Sequence, residues 1–449
     1  MKHFPLVFTF LLSYAISSAQ TIIHRDPEIE KMVAEVSPDS LRSYISTLVS
    51  FHTRNTLSSQ TDAKKGIGAA REYVLEKFEE FGRQSNGRMT AFIDTVTLQP
   101  DGKRVDRKVV LGNVMGVLKG QNPDDNRIFL VSGHLDSRRS DVMDSTGFAP
   151  GANDDASGVA AVMESARIMS SHGFPATVIF VAVSGEEQGL LGSSFLAERA
   201  KKENWNLAAM LNNDIIGSNN SNETNIINNT QLRVFSEGIP QFETEKQIKK
   251  IISMGWENDN PSRQLARYIK ETGERYVDHL EVILEYRPDR FLRGGDHLPF
   301  LKNGFTAVRL TEMNENFTRQ HQDIRTENGI NYGDEIEYID FEYLRKNTAV
   351  NLSTLSNLAK SPGPPTGVKI EVKELSNETK LHWNSPQFNN VSGYYVLLRP
   401  TASAVWTKKF FTRNLFITLP FSKDNYFFAV QSVSADGNES LPVLPEPER

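Results

Sequence analysis

Ile128-Phe129-Leu130-Val131-Ser132-Gly133-His134-Leu135-Asp136-Ser137 is the stretch from which the fold can be read. Four residues, apolar and β-branched or aromatic enough for a strand buried on both faces, run almost directly into a glycine, a histidine and an aspartate. A second such run, Thr177-Val178-Ile179-Phe180-Val181-Ala182-Val183, leads into Ser184-Gly185-Glu186-Glu187-Gln188. A weaker third, Ala208 to Leu211, leads into Asn212-Asn213-Asp214. Between the first two, Ala156 to Met169 is rich in alanine and methionine and reads as a helix. Upstream, Gly66 to Phe81 reads as an amphipathic helix, with Ala70, Tyr73, Val74, Phe78 and Phe81 on one face and Gly82 as its stop. This alternation predicts an α/β fold, a mixed and mostly parallel sheet covered by helices. The acids and histidine then fall at strand C-terminal ends, the edge where open α/β sheets bind ligands.

The chain has 449 residues, long for one core, so two or more domains are expected. Met1 to Ala19 reads as a secretory signal peptide: Lys2 and His3, an apolar stretch from Phe4 to Ile16, then small residues before Gln20. The chain is therefore expected to be exported, to the periplasm or beyond, with no transmembrane segment once that peptide is removed. Residues 20–360 form the expected main domain, within which Ser218 to Asn229 reads as a surface loop. A linker at 361–366 follows, marked by Ser361-Pro362-Gly363-Pro364-Pro365. In residues 367–449 the texture changes to short strands at Val368 to Val372, Thr379 to Trp383, Gly393 to Leu398 and Tyr426 to Val433, so a small all-β sandwich is expected. A net charge of −6 without a long basic run argues against nucleic acid as the main partner. The absence of cysteine excludes disulfides and thiolate ligands, so any metal site must use imidazole and carboxylate.

Five segments carry the chemistry. Besides Gly133-His134-Leu135-Asp136-Ser137, Ser184 to Gln188 and Asn212-Asn213-Asp214, they are Pro150-Gly151-Ala152-Asn153-Asp154-Asp155-Ala156-Ser157-Gly158 and Gln320-His321-Gln322. Together they can supply two histidines, two aspartates and a glutamate to a pair of metal ions, with one glutamate left over. Metal-assisted hydrolysis needs that inventory: a carboxylate able to bridge, terminal ligands on each side, and a nearby base not consumed as a ligand.

In this order and spacing the segments resemble the bacterial leucyl aminopeptidase-like group of peptidase family 28, the co-catalytic zinc exopeptidases, from about His52 to Leu358. The resemblance implies that Asp154 bridges two zinc ions, that His134 and Asp214 complete one shell, and that Glu187 and His321 complete the other. It implies Glu186 as the general base, Asp136 as the carboxylate that orients the His134 imidazole, and a cis peptide between Asp154 and Asp155. Manganese or cobalt would suit the same ligands. His321 has a rival in His297, within Gly295-Asp296-His297-Leu298-Pro299-Phe300, a stretch that in the family lies near the site without binding metal. Arg293 could meet a substrate carboxylate or phosphate, but a structural ion pair is the more ordinary reading.

The function expected is that of an exported di-zinc aminopeptidase acting on peptides. A carboxypeptidase on the same fold and a single-zinc glutaminyl cyclase are the alternatives; a binding protein with a decayed site is disfavoured, because no ligand is missing. Residues 367–449 resemble a fibronectin type III domain, with Trp383 and Tyr426 as core aromatics and no chemistry of their own.

Overall fold

The computed structural model describes residues 23, 25–240, 244–387 and 391–448. The expected signal peptide, Met1 to Ala19, lies outside the described residues, as does His24. In chain order, α1 (Pro27–Ala34), α2 (Pro38–Ser50) and α3 (Gly66–Gln84) precede β1 (Met89–Leu98), β2 (Val109–Leu118) and β3 (Ile128–His134). There follow α4 (Ala156–Ser170), β4 (Thr177–Val183), α5 (Leu191–Lys202), β5 (Leu207–Asn213), β6 (Gln231–Phe235), α6 (Glu245–Met254) and α7 (Pro261–Tyr276). Then come β7 (Glu281–Glu285), α8 (His297–Lys302), β8 (Ala307–Glu312), the small hairpin of β9 (Arg325–Glu327) and β10 (Ile330–Tyr332), and α9 (Phe341–Lys360).

Strands β1 to β8 form one sheet in the order β1-β2-β4-β3-β5-β8-β6-β7. Its centre, β4-β3-β5-β8, is parallel, and antiparallel pairings flank it at β2–β4 and at β8–β6. The apolar runs are continuous because both faces of these strands are covered. Phe129 and Val131 of β3, with Val178, Phe180 and Ala182 of β4, face the large core shared with α1, α2, α3, α4, α7 and α9. Leu130, Ile179, Val181 and Val183 face the other way, onto Leu196 and Ala197 of α5 and Phe300 of α8. Period-two alternation of side chains makes one run serve two cores. The mixed, mostly parallel sheet expected from the sequence is therefore the observed architecture.

Several boundaries shift by one to three residues, and one has a visible cause. Gly82 does not end α3, which continues to Gln84. A Cβ on Gly82 would lie 2.9 Å from the Met89 carbonyl oxygen, so the glycine permits close approach of helix and strand rather than a stop.

After α9 the chain forms two further sheets. One has the order β15-β12-β11-β17, from β11 (Thr366–Glu371), β12 (Thr379–Asn384), β15 (Phe416–Leu419) and β17 (Glu446–Glu448). The other, β14-β13-β16, comes from β13 (Gly393–Pro400), β14 (Lys408–Thr412) and β16 (Tyr426–Val433). They pack through Val368, Leu381 and Trp383 on one side and Tyr394, Val396, Phe428 and Val430 on the other. The proline-rich segment before β11 is not a loose tether: buried Arg127 donates to the carbonyls of Ser361 at 2.7 Å and Pro362 at 3.0 Å. Among the described residues no helix is long and apolar enough to cross a membrane.

Candidate metal centre

The central parallel strands deliver the site residues to one edge. His134 is the last residue of β3, Glu186 and Glu187 follow β4, and Asp214 follows β5. Asp154 lies in the turn entering α4, and His321 in the loop after β8. Buried Arg54 fixes two of these segments together, donating to the carbonyls of Leu135 at 2.8 Å, Pro150 at 2.6 Å and Gly151 at 2.9 Å. Asp155 is the N-cap of α4, accepting the Gly158 N–H at 2.9 Å. The same carboxylate takes the His134 N–H at 2.9 Å and the Ile215 N–H at 3.2 Å, so it joins the ends of β3 and β5 to the helix. The Asp154–Asp155 peptide is cis.

Two groups of metal-ligating side chains meet here, His134 with Asp154 and Asp214, and Asp154 with Glu187 and His321. Asp154 belongs to both. Its Oδ1 is 3.0 Å from His134 Nε2, and its Oδ2 is 3.0 Å from His321 Nε2. Glu187 Oε1 is 2.9 Å from His321 Nε2, and Asp214 Oδ1 is 3.8 Å from His134 Nε2. The His134 Nδ1 lies 3.0 Å from the Asp136 carbonyl. A carbonyl only accepts, so the proton sits on Nδ1 and the Nε2 lone pair faces the cluster. Glu187 Oε1 is buried, with His321 Nε2 beside it. Lone-pair imidazole and converging carboxylates fit first-row divalent metal.

Burial pushes the Glu186 carboxyl well above the usual carboxylate range; Glu187 and Asp214 add to this, and His134 opposes it. Burial would lower the His321 imidazole, but the Glu187 and Asp154 carboxylates outweigh it and push it up to about 10. Asp214 is held well below its ordinary value against burial, first by Arg309, whose Nη2 is 3.0 Å away, and then by His134. Asp334 accepts the N–H groups of Asn153 at 2.9 Å and Asp154 at 2.7 Å, and burial pushes its carboxyl up to about 7.

The structure brings His134, Asp154, Glu186, Glu187, Asp214 and His321 together around one cavity. His321 reaches the cluster from a left-handed backbone conformation, φ 56°. His297 does not: it is buried, with Nε2 2.7 Å from the Pro288 carbonyl. Arg293 pairs with Glu315 at 2.9 Å, the structural ion pair. Asp136 differs in its working atom. Its carboxylate is 3.7 Å from His134 Nδ1, and the carbonyl orients the ring instead. The carboxylate accepts the N–H groups of Gly185 at 2.9 Å, Glu186 at 3.2 Å and Glu187 at 3.1 Å, so it holds the turn bearing both glutamates. Arg54, Arg309 and Asp334 were not foreseen. An isolated arginine or aspartate carries no local pattern, and only the fold shows what each one pins.

Imidazoles and carboxylates sharing one aspartate, at the carboxyl edge of a parallel sheet, make a cleft suited to divalent-metal chemistry. The model of peptidase family M28 matches residues 113–355, and the chain belongs to that family. Probable zinc metalloproteases of Leptosphaeria maculans and Pyrenophora tritici-repentis are similar to it, 43% identical over 423 residues and 41% over 425. Each match takes in 94% of this chain, with 97% of the first protein and 87% of the second. Among solved structures, the LapA aminopeptidase of Legionella pneumophila shares the fold at 17% identity and a TM-score of 0.53, with 80% of each chain covered. An aminopeptidase from Aneurinibacillus sp. strain AM-1 does so at 15% identity and a TM-score of 0.50, over 75% of this chain and 96% of that one.

Proposed function

We propose that this peptidase is an exported aminopeptidase with two zinc ions, held by His134, Asp154 and Asp214 and by Asp154, Glu187 and His321. The observation that carries this reading is the division of the Asp154 carboxylate, one oxygen toward each histidine. The names of the fungal relatives support zinc, and those of the structural neighbours support removal of N-terminal residues. Bound there, two divalent ions supply Lewis acidity to the attacking water and the scissile carbonyl. Glu186 lines the same cavity and belongs to neither ligand group. It takes a proton from the attacking water and returns it to the leaving amine. The Asp136 carboxylate keeps Glu186 and Glu187 in register through the three N–H groups it accepts.

Residues 20–360 would form the catalytic unit, 361–366 the connection, and 367–449 a fibronectin type III-like sandwich, a reading supported by the two packed sheets with Trp383 between them. Export rests on the composition of Met1 to Ala19.

Metal analysis with a panel of aminoacyl-nitroanilides, before and after chelation, tests the reading. Two ions per chain and loss of activity on chelation are expected; one ion per chain would sink the two-metal site. Offered N-blocked and C-blocked dipeptides, the enzyme should cleave only the C-blocked one. The reverse result would make it a carboxypeptidase.

A further inference from the structure

A cavity of about 480 Å³ opens onto the cluster, and it is lined by four guanidiniums, from Arg104, Arg138, Arg290 and Arg293, as well as by the carboxylates. Arg290 and Arg293 are already matched, since both lie on Glu315, at 3.1 Å and 2.9 Å. Arg104 has no carboxylate within ion-pair distance among the described residues; Nη1 donates to the Glu187 carbonyl at 2.5 Å. Arg138 donates to the carbonyls of Arg139 and Ser140, and its nearest carboxylate is Glu187, 3.8 Å away. Glu187 itself belongs to the cluster, so neither arginine has an ion-pair partner outside it among the described residues.

Arg104 is exposed, yet the chain that carries it is built. It sits in the connection between β1 and β2, where the Asp101 carboxylate accepts the N–H groups of Lys103 at 2.8 Å, Arg104 at 2.9 Å and Val105 at 2.9 Å. Val105 is sunk among Leu57 and Val109. A loop tip fixed in this way lowers the ordering cost of binding through Arg104. Arginine is also the side chain whose planar fork best matches a carboxylate.

We propose that Arg104 and Arg138 form a subsite for a substrate carboxylate beside the scissile bond, so that the preferred substrates are short peptides placing a C-terminal carboxylate or an Asp or Glu side chain there. The inference rests on the peptidase reading of the cluster. Three substrate pairs separate the sources of the carboxylate: Leu-Gly against Leu-Gly-amide, Glu-Leu-amide against Gln-Leu-amide, and Leu-Glu-amide against Leu-Gln-amide. With the zinc-loaded full chain, at least one pair should favour the carboxylate in kcat/KM by about tenfold or more, the usual scale of a charge-assisted hydrogen bond. The double variant Arg104→Gln, Arg138→Gln should bring that ratio close to one, and Arg104→Lys should keep part of it. Calorimetric binding of the same pairs to zinc-loaded Glu186→Gln should show the same order and the same loss on removing the arginines. Ratios near one for all three pairs, or a preference that survives in the double variant, overturn the subsite. If no pair is hydrolysed, the peptidase reading fails. In that case the subsite stands if carboxylate ligands still bind more tightly through the arginines, and falls if they do not.

Discussion

Of the carboxylates that line the cavity among the described residues, Glu186 alone belongs to neither ligand group, although it adjoins Glu187 in the chain. Glu186→Gln keeps the shape and removes the proton acceptor. Turnover should fall by about 10²- to 10⁴-fold, while elemental analysis finds the metal content of the wild type; a retained rate would remove Glu186 from the mechanism. Asp334 acts one layer out, through the backbone of Asn153 and Asp154. Asp334→Ala leaves those two N–H groups without their acceptor and frees the turn that carries the shared aspartate. Zinc affinity, measured by chelator competition, should weaken by about 10- to 100-fold, and unchanged affinity would show that the turn holds itself. These two residues also mark how far the sequence reads. Glu186 was legible because it stands in a compact acidic segment after an apolar run. Asp334 lies 180 residues from Asp154 and only the fold makes them neighbours, so no local pattern announces it.

The elements that aim the site depend on close approach. A Cβ on Gly133 would sit 2.5 Å from the Gly158 carbonyl carbon and 2.6 Å from the Val159 nitrogen, so β3 and α4 touch backbone to backbone beside His134. Gly133→Ala should therefore cost about 1–3 kcal/mol in chemical denaturation and lower activity as well; an unshifted midpoint would mean that α4 can yield. The strands β3 and β4 were legible because apolar, β-branched runs covered on both faces have no other reading at that length. The pair β1 and β2 was not. Gly112 and Gly116 interrupt the second strand, and the reason is visible only in three dimensions. A Cβ on Gly116 would meet Met89 at 2.7 Å and Phe78 at 3.1 Å, while one on Gly112 would meet Ile93 at 2.8 Å. The composition of 361–366 marked a linker, and Arg127 pins its first two residues to the body; composition reports what a segment permits, whereas a partner from elsewhere in the chain decides how it is held.

At the scale of the molecule, the two β-sheets after α9 are bound to the body by buried charge. Arg275 holds Glu439 bidentately at 2.7 Å and 2.9 Å, the Tyr268 hydroxyl donates to the Glu439 carbonyl at 2.7 Å, and Arg267 donates to the Ala404 carbonyl at 2.6 Å. Burial would raise the Glu439 carboxyl, but Arg275 and Lys409 pull it down from its ordinary 4.5 to about 2. A depressed carboxylate stabilises the fold fully above its unfolded value and loses that contribution as pH falls toward its folded one. The thermal midpoint should thus fall between about pH 4.5 and pH 2, with about 3 kcal/mol at stake from this group. Glu439→Gln should already be less stable at neutral pH and should lose this part of the acid sensitivity. An acid limb identical to that of the wild type would place the sensitivity elsewhere.

Asn438 Nδ2 donates to Asp26 Oδ2 at 3.0 Å across 412 residues of chain. Asp26 is also the N-cap of α1, so this one contact ties the start of the first helix to the turn after β16. The fold therefore closes a covalent span of 412 residues with side chains, and a single proteolytic cut in an exposed loop between the two should leave both pieces joined at the seam.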